Sequence, residues 1–318
     1  MTLKEFIKDA VRFVYFYPLR GLVSVLPFKW TYSLARLAGK AAYSINGGKR
    51  AALESELYGL FPDIDQHKAA RVVRNTFVNQ MQTELEAFLY PRLDAGSIGS
   101  VMEYEGLKHL ERGLESGKGV MLLFAHFGAN QMVMPAIGYM GYKMSQISAP
   151  STVWEEKLTN KRITAMARVG LKIRWSNEAS LPVRHINVFG TMKEAFLCLR
   201  RNEVLGIAID GGGGKTRAGV EFFGKKAFFS TGSVEIAMRT GCVVLPTFMI
   251  RKGDGTHRMI IEEPIEMKRD SEDAVGGNIS AFVKRLEEYV AKYPCHYLNF
   301  LALRTYMLGI DGITFIEG

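Results

Sequence analysis

The chain has 318 residues, 47% of them hydrophobic and 23% charged. That length fits one large domain or two small ones, and the composition excludes wholesale disorder and collagen-like repeats. Three widely spaced cysteines, Cys198, Cys242 and Cys295, exclude a disulfide framework or a Cys-rich zinc module and suit a reducing compartment. The net charge is +9, yet the first fifty residues hold nine basic side chains against two acids, so most of the excess belongs to one segment.

That segment, residues 1–48, mixes apolar and aromatic runs with isolated bases. Arg12, Arg20 and Lys29 interrupt every stretch long enough to span a bilayer, and no small-residue cleavage site follows Phe13–Leu26, so neither a spanning helix nor a secretory signal fits. Phe6, Phe13, Phe16 and Tyr17 recur at helical spacing and Pro18 should kink or end the first helix. The expectation is a membrane-associating helical segment, lying in the interface with its bases toward anionic headgroups. Packing on the domain with solvated bases is the bland alternative. Nucleic acid fits badly, because the bases are diluted among aliphatic side chains.

Residues 49–318 read as a single α/β domain. Helices fill residues 50–90, after the Asn46-Gly47-Gly48 turn. Strands are predicted at Gly119–Ala125, Lys143–Ser148, Leu171–Trp175, Val204–Ile209, Val220–Phe223, Cys242–Ile250 and Arg258–Glu262. Helices are predicted at Gly106–Ser116, Gly128–Met140, Thr152–Arg168, Gly190–Arg201, Thr231–Thr240 and Ile279–Lys292. Such alternation argues for a mixed, mostly parallel sheet flanked by helices.

Chemistry concentrates at the ends of predicted strands, where ligands gather in open α/β sheets. His126 ends an apolar strand just before a glycine turn and a helix, a suitable place for a general base. Gln131, five residues on, could accept from the imidazole Nδ1–H. A structural role for the histidine is about as common. Asp210 ends another buried strand and opens a run of four glycines before Lys215 and Arg217, which could meet an anionic ligand. The run is not a P-loop, since that pattern requires glycine where Ile209 stands. No H-x-x-x-H or H-E-x-x-H spacing gives a zinc site, and no G-x-S-x-G elbow supports serine hydrolysis. Met132, Met134, Met140 and Met144 could line an acyl groove, although core filling is the commoner use of methionine.

The stretches AHFGANQ (125–131), AIDGGGGKTRAGVEFFGKKAFFSTGSVEIAMRTGCVVLP (208–246) and KYPCHYLNF (292–300) resemble the lipid A biosynthesis acyltransferases, the bacterial lauroyl/myristoyl transferases of the glycerolipid acyltransferase superfamily. The resemblance implies a glycerolipid acyltransferase-like fold at the cytoplasmic face of the bacterial inner membrane. It also implies transfer of a fatty acyl group from a thioester, acyl-carrier protein or acyl-CoA, to a lipid or glycolipid acceptor, with no cofactor beyond that donor. It casts His126 as base, Asp210 as loop acid, and Arg168, Lys215, Arg217, Phe222, Phe223 and Gly224 as substrate-binding residues. The N–H groups around Phe127–Ala129, or the helix end, become candidate oxyanion donors.

Two departures stand out. Gln131 occupies the position of the family's motif acid, and Cys295-His296 replaces a Glu-Gln pair. A glutamine can fix a tautomer but brings no charge to a forming imidazolium, a loss worth about 10⁴-fold in a comparable dyad. Three readings stay open: a carboxylate from elsewhere (Asp210, Glu155 or Glu235), an amine acceptor that needs less base assistance, or lipid binding without turnover.

Overall fold

The computed structural model describes residues 3–158, 163–211, 216–269 and 273–317. Nine strands are described: β1 (Met102–Glu105), β2 (Val120–Phe124), β3 (Met144–Ser148), β4 (Arg184–Asn187), β5 (Val204–Ala208), β6 (Arg217–Phe222), β7 (Lys225–Ser230), β8 (Val243–Arg251) and β9 (His257–Ile261). Seven form one sheet in the order β1-β9-β8-β2-β5-β3-β4. All neighbours run parallel except β8 and β9, which form an antiparallel pair. The fold is therefore the mixed, mostly parallel α/β architecture expected.

β2 lies centrally and is buried along its whole length. Its pleat sends Met121 and Leu123 into one apolar layer and Val120, Leu122 and Phe124 into the other, which is why the strand reads as an unbroken apolar run. Helices Lys193–Arg200, Gly232–Thr240 and Ala274–Lys292 contribute to the first layer, and Leu107–Glu115 and Val133–Gly138 to the second.

Several local expectations need correction. Leu171–Trp175 is no strand but the middle of helix Ala165–Glu178, capped by the Thr164 hydroxyl. Its apolar residues look alternating over five positions, while Gly170 and Asn177 on one helical face are the ones buried. The edge strands β1 and β4 were not anticipated, being four residues long and rich in charge, as edges tend to be. Val220–Phe223 proves to be the end of β6 in a two-stranded hairpin with β7.

The N-terminal segment begins with helix Leu3–Val14, passes through a π-helical turn Tyr15–Leu19 that contains Pro18, and continues as Arg20–Val25. Helix Phe28–Ile45 then packs along Gln66–Leu89, so closely at Gly39 that a Cβ there would lie 2.5 Å from the Val78 Cα. Leu3, Phe6, Ile7, Val11, Phe13 and Val14 are all exposed. Among the described residues, no helix is long and apolar enough to cross a membrane.

One buried charge cluster ties these parts together. Glu86, 1% exposed, accepts two bonds from the Arg251 guanidinium at the end of β8, one of 2.8 Å to Nη2. His257 Nε2 of β9 lies 3.2 Å from Glu86 and 2.8 Å from the Tyr32 hydroxyl. Burial alone would raise the Glu86 pKa, but Arg251 and His257 outweigh it and hold it at about 2. Removing one partner of such a pair strands the other, so Glu86→Ala should cost about 3–5 kcal/mol in urea unfolding. Because the folded pKa is depressed, the cluster's contribution is complete above the ordinary value of 4.5 and fades as pH falls towards 2. That pH dependence should be weaker in Glu86→Gln.

Candidate active site

β2 and β5 run side by side in register, Val120 opposite Val204 and Phe124 opposite Ala208. The same offset carried two residues beyond each strand brings His126 and Asp210 together. The Ile209 N–H still donates to Phe124 O at 2.9 Å, which extends the ladder into the turn. Asp210 is 1% exposed. Its Oδ1 lies 2.7 Å from His126 Nδ1, and its Oδ2 accepts from the His126 backbone N–H at 2.8 Å and from the Tyr297 hydroxyl at 3.0 Å. The imidazole is thereby held by one edge, with its side chain 42% exposed towards open space. A carboxylate on Nδ1 fixes the tautomer that leaves Nε2 as the acceptor. Desolvation pulls the His126 pKa down and Arg304 adds to that, but the charge and hydrogen bond of Asp210 prevail, leaving it above 6.5.

The turn after His126 depends on Gly128, at φ +62°, where a Cβ would lie 1.8 Å from Met249 O. Its N–H donates to His296 O at 2.9 Å, and the Ala129 N–H donates to Met249 O at 3.2 Å. These two groups, expected to be oxyanion donors, are therefore spent on the fold. His296 also accepts the Arg251 N–H on Nε2 at 3.0 Å. Burial, reinforced by Arg251, lowers its pKa to about 3, so its ring stays a neutral acceptor. Cys295-His296 thus supports the turn beneath His126.

Two cavities meet at His126. The larger, about 650 Å³, has Phe124, Met134, Ile147, Trp154, Phe189 and Met192 in its lining. The smaller, about 270 Å³, is polar, with Asn79, Gln80, Glu84, Asn130, Arg174 and Asn299 in its wall. Gln131 and Glu178 line both. Arg174 is ion-paired with Glu84. Burial raises Glu178 to about 7 against the pull of Arg174.

The other expected site residues distribute unevenly. Gln131 does not reach the imidazole; its Oε1 accepts from the Tyr90 hydroxyl at 3.4 Å. The chain enters a 3₁₀ turn at Asn130–Met132 rather than a regular helix, and Asp210 already occupies Nδ1. Of the three carboxylates considered as charge donors, Asp210 is the one in contact with the ring; Glu235 accepts from Thr231 at 2.7 Å, and Glu155 sits on helix Ser151–Leu158. Phe222 is buried in the core, and Phe223-Gly224, at φ +51° and +70°, make the turn between β6 and β7, the positive angles a tight hairpin requires. Phe223 packs edge-on against Phe61 at 5.1 Å, so none of the three lines either cavity. Arg168 is exposed at the first turn of its helix, about 15 Å along the axis from Glu178. Arg217 opens β6 opposite Ser230 and lines neither cavity. Lys215 lies outside the described residues. Met134 alone of the four methionines lines the large cleft.

Tyr90, Glu178, Tyr297 and Phe300 were not anticipated. Phe300 stacks on the His126 ring, centroids 4.9 Å apart and planes 5° from parallel. In sequence, Tyr297 and Phe300 are ordinary aromatics of a helical tail, and only the folded contact marks them.

A buried aspartate thus holds a half-exposed histidine at the mouth of a largely apolar cleft on a mostly parallel sheet. The family described as bacterial lipid A biosynthesis acyltransferase matches residues 6–303, and the chain belongs to it. It is also 24% identical over 234 residues to the phosphatidylinositol mannoside acyltransferase of Mycolicibacterium smegmatis (strain ATCC 700084 / mc(2)155), covering 70% of this chain and 69% of that one. The protein is a lipid acyltransferase acting on a lipid or glycolipid.

Transfer that needs neutral His126 should rise with pH through a midpoint above 6.5. Asp210→Asn removes the contributions that raise this midpoint, so the profile should move to lower pH while the rate falls about 10²- to 10⁴-fold. Gln131→Glu should not accelerate transfer, because the ring's charge partner is already Asp210.

Proposed function

We propose that this protein transfers a fatty acyl group from a thioester, acyl-carrier protein or acyl-CoA, to a hydroxyl of a glycolipid at the cytoplasmic face of the bacterial inner membrane. The observation that carries the reading is the position of His126, fixed by Asp210 where an apolar cleft meets a polar cavity. The acyl chain enters the apolar cleft and the acceptor headgroup the polar one. His126 Nε2 takes the hydroxyl proton as the oxygen attacks the thioester carbonyl. The tetrahedral intermediate collapses by breaking the carbon–sulfur bond, and the imidazolium returns its proton to the leaving thiolate. Asp210 keeps the ring in register and stabilises its positive charge. With the Gly128 and Ala129 N–H groups engaged, the oxyanion is left to the other N–H groups of the turn, those of Phe127 and, at the helix end, Asn130 and Gln131. The donor thioester is itself a substrate, and the step calls for no cofactor beyond it.

The polar cavity supports a hydroxyl-rich, uncharged headgroup. Its guanidinium, Arg174, is paired with Glu84, and Glu178 and five carboxamides, those of Asn79, Gln80, Asn130, Gln131 and Asn299, share the wall; carboxyls and amides bind neighbouring hydroxyls, whereas a phosphate needs free cations. Membrane association rests on the N-terminal helices, which expose Phe6, Ile7, Val11 and Phe13 together with the bases Lys8 and Lys29. An anionic surface would gather both the protein and its acceptor there.

The test offers labelled acyl-carrier protein and labelled acyl-CoA, in separate reactions, to vesicles containing lipid extract from the source cells. A labelled glycolipid should form with wild type and be lost in His126→Ala. Product formed undiminished by His126→Ala would overturn the reading. Phe6→Ser/Ile7→Ser/Phe13→Ser should weaken sedimentation with anionic vesicles by at least several-fold, and unchanged sedimentation would remove the membrane role of that helix.

A further inference from the structure

The first turn of the C-terminal helix, Leu298–Asp311, together with the residue before it, touches both members of the dyad. The Tyr297 hydroxyl donates to Asp210 at 3.0 Å, and three positions later Phe300 lies flat against the imidazole. Tyr297 and Phe300 also meet each other, ring centroids 5.1 Å apart. Phe300 is buried and braced edge-on by Phe315, 5.4 Å away, which belongs to the terminal stretch that adds to the hairpin edge: Phe228 N–H donates to Phe315 O at 2.8 Å and Glu317 N–H to Lys226 O at 2.9 Å.

We infer that Phe300 is a positioning residue that stabilises the charged form of His126 through its π face, supplying part of the charge stabilisation that Gln131 does not provide. A cation over an aromatic face is attracted by the ring quadrupole, and the attraction is strongest where water is excluded. The parallel arrangement presents the face of Phe300, not its edge, to the imidazolium that forms when His126 accepts a proton. The charged neighbours are Asp210, which raises the pKa from the Nδ1 edge, Arg304, which lowers it through space, and Glu84, Arg174 and Glu178, which share cavity walls with His126. The inference builds on His126 as the base, but its readout is the titration of the ring itself, so it stands or falls independently of which lipid is acylated.

The experiment incorporates phenylalanine, 3,5-difluorophenylalanine or pentafluorophenylalanine at position 300 of the full chain. The His126 pKa is followed by NMR of ¹³Cε1-labelled histidine, with the signal assigned by its loss in His126→Asn. Fluorination removes the negative π face while keeping the ring, so packing is nearly constant. The pKa should fall stepwise along the series, by about half a unit in total, or threefold in the acid constant. Phe300→Leu, which keeps an apolar cover but has no ring quadrupole, should give a pKa below that of phenylalanine and above that of the pentafluorinated ring, whose face repels a cation, and the transfer profile should shift to lower pH with it. A pKa that stays constant across the fluorinated series would overturn the inference and leave Phe300 a steric wall.

Discussion

Everything in the site follows from one register. Because β2 and β5 pair in parallel with Phe124 opposite Ala208, the second residue beyond each strand lands beside its counterpart, and those residues are a histidine and an aspartate. The contact needs no flexible loop to close it. It is set by backbone hydrogen bonds in the most buried part of the sheet, where a slip of one residue would turn every apolar side chain to the wrong layer. A dyad built in this way is preorganised, and little reorganisation remains to be made when charge develops on the imidazole.

The surroundings hold that pair from two further sides. Below, Gly128 lets the chain turn against Met249, while His296 accepts hydrogens from Arg251 and, through its carbonyl, from Gly128. Arg251 in turn is locked to Glu86, so the turn under His126 is continuous with the buried charge cluster that joins the helices to β8 and β9. Above, Tyr297 and Phe300 meet Asp210 and His126. The apolar and polar cavities open on the one side left free. The two cavities differ in character, one lined largely by apolar side chains and the other largely by polar ones.

What could be read in the sequence was whatever local pattern dictates. The apolar run before His126 and the one before Asp210 each announce a buried strand, and the fold class follows from their alternation with helices. Short edge strands such as Arg184–Asn187 carry too few residues and too much charge to show a period. Leu171–Trp175 shows the opposite failure, a five-residue alternation overruled by the helix around it. Phe222-Phe223-Gly224 drew attention as a motif, yet its two positive backbone angles serve a hairpin turn. The position of Gln131 invited a partner role for the imidazole, but spacing along a chain cannot reveal that a carboxylate 84 positions away already holds that nitrogen. For the same reason the stretch KYPCHYLNF does not reveal that its Tyr297 and Phe300 meet Asp210 and His126.

The central claim is that Asp210, and not Gln131, sets the state of His126. It is tested most directly by the ¹⁵N shifts of the His126 ring in the full chain above its pKa, in wild type, Asp210→Asn and Gln131→Ala. The account predicts a ring protonated at Nδ1 in wild type and in Gln131→Ala, with the two tautomers mixing in Asp210→Asn. A tautomer that mixes in Gln131→Ala while surviving Asp210→Asn would contradict it.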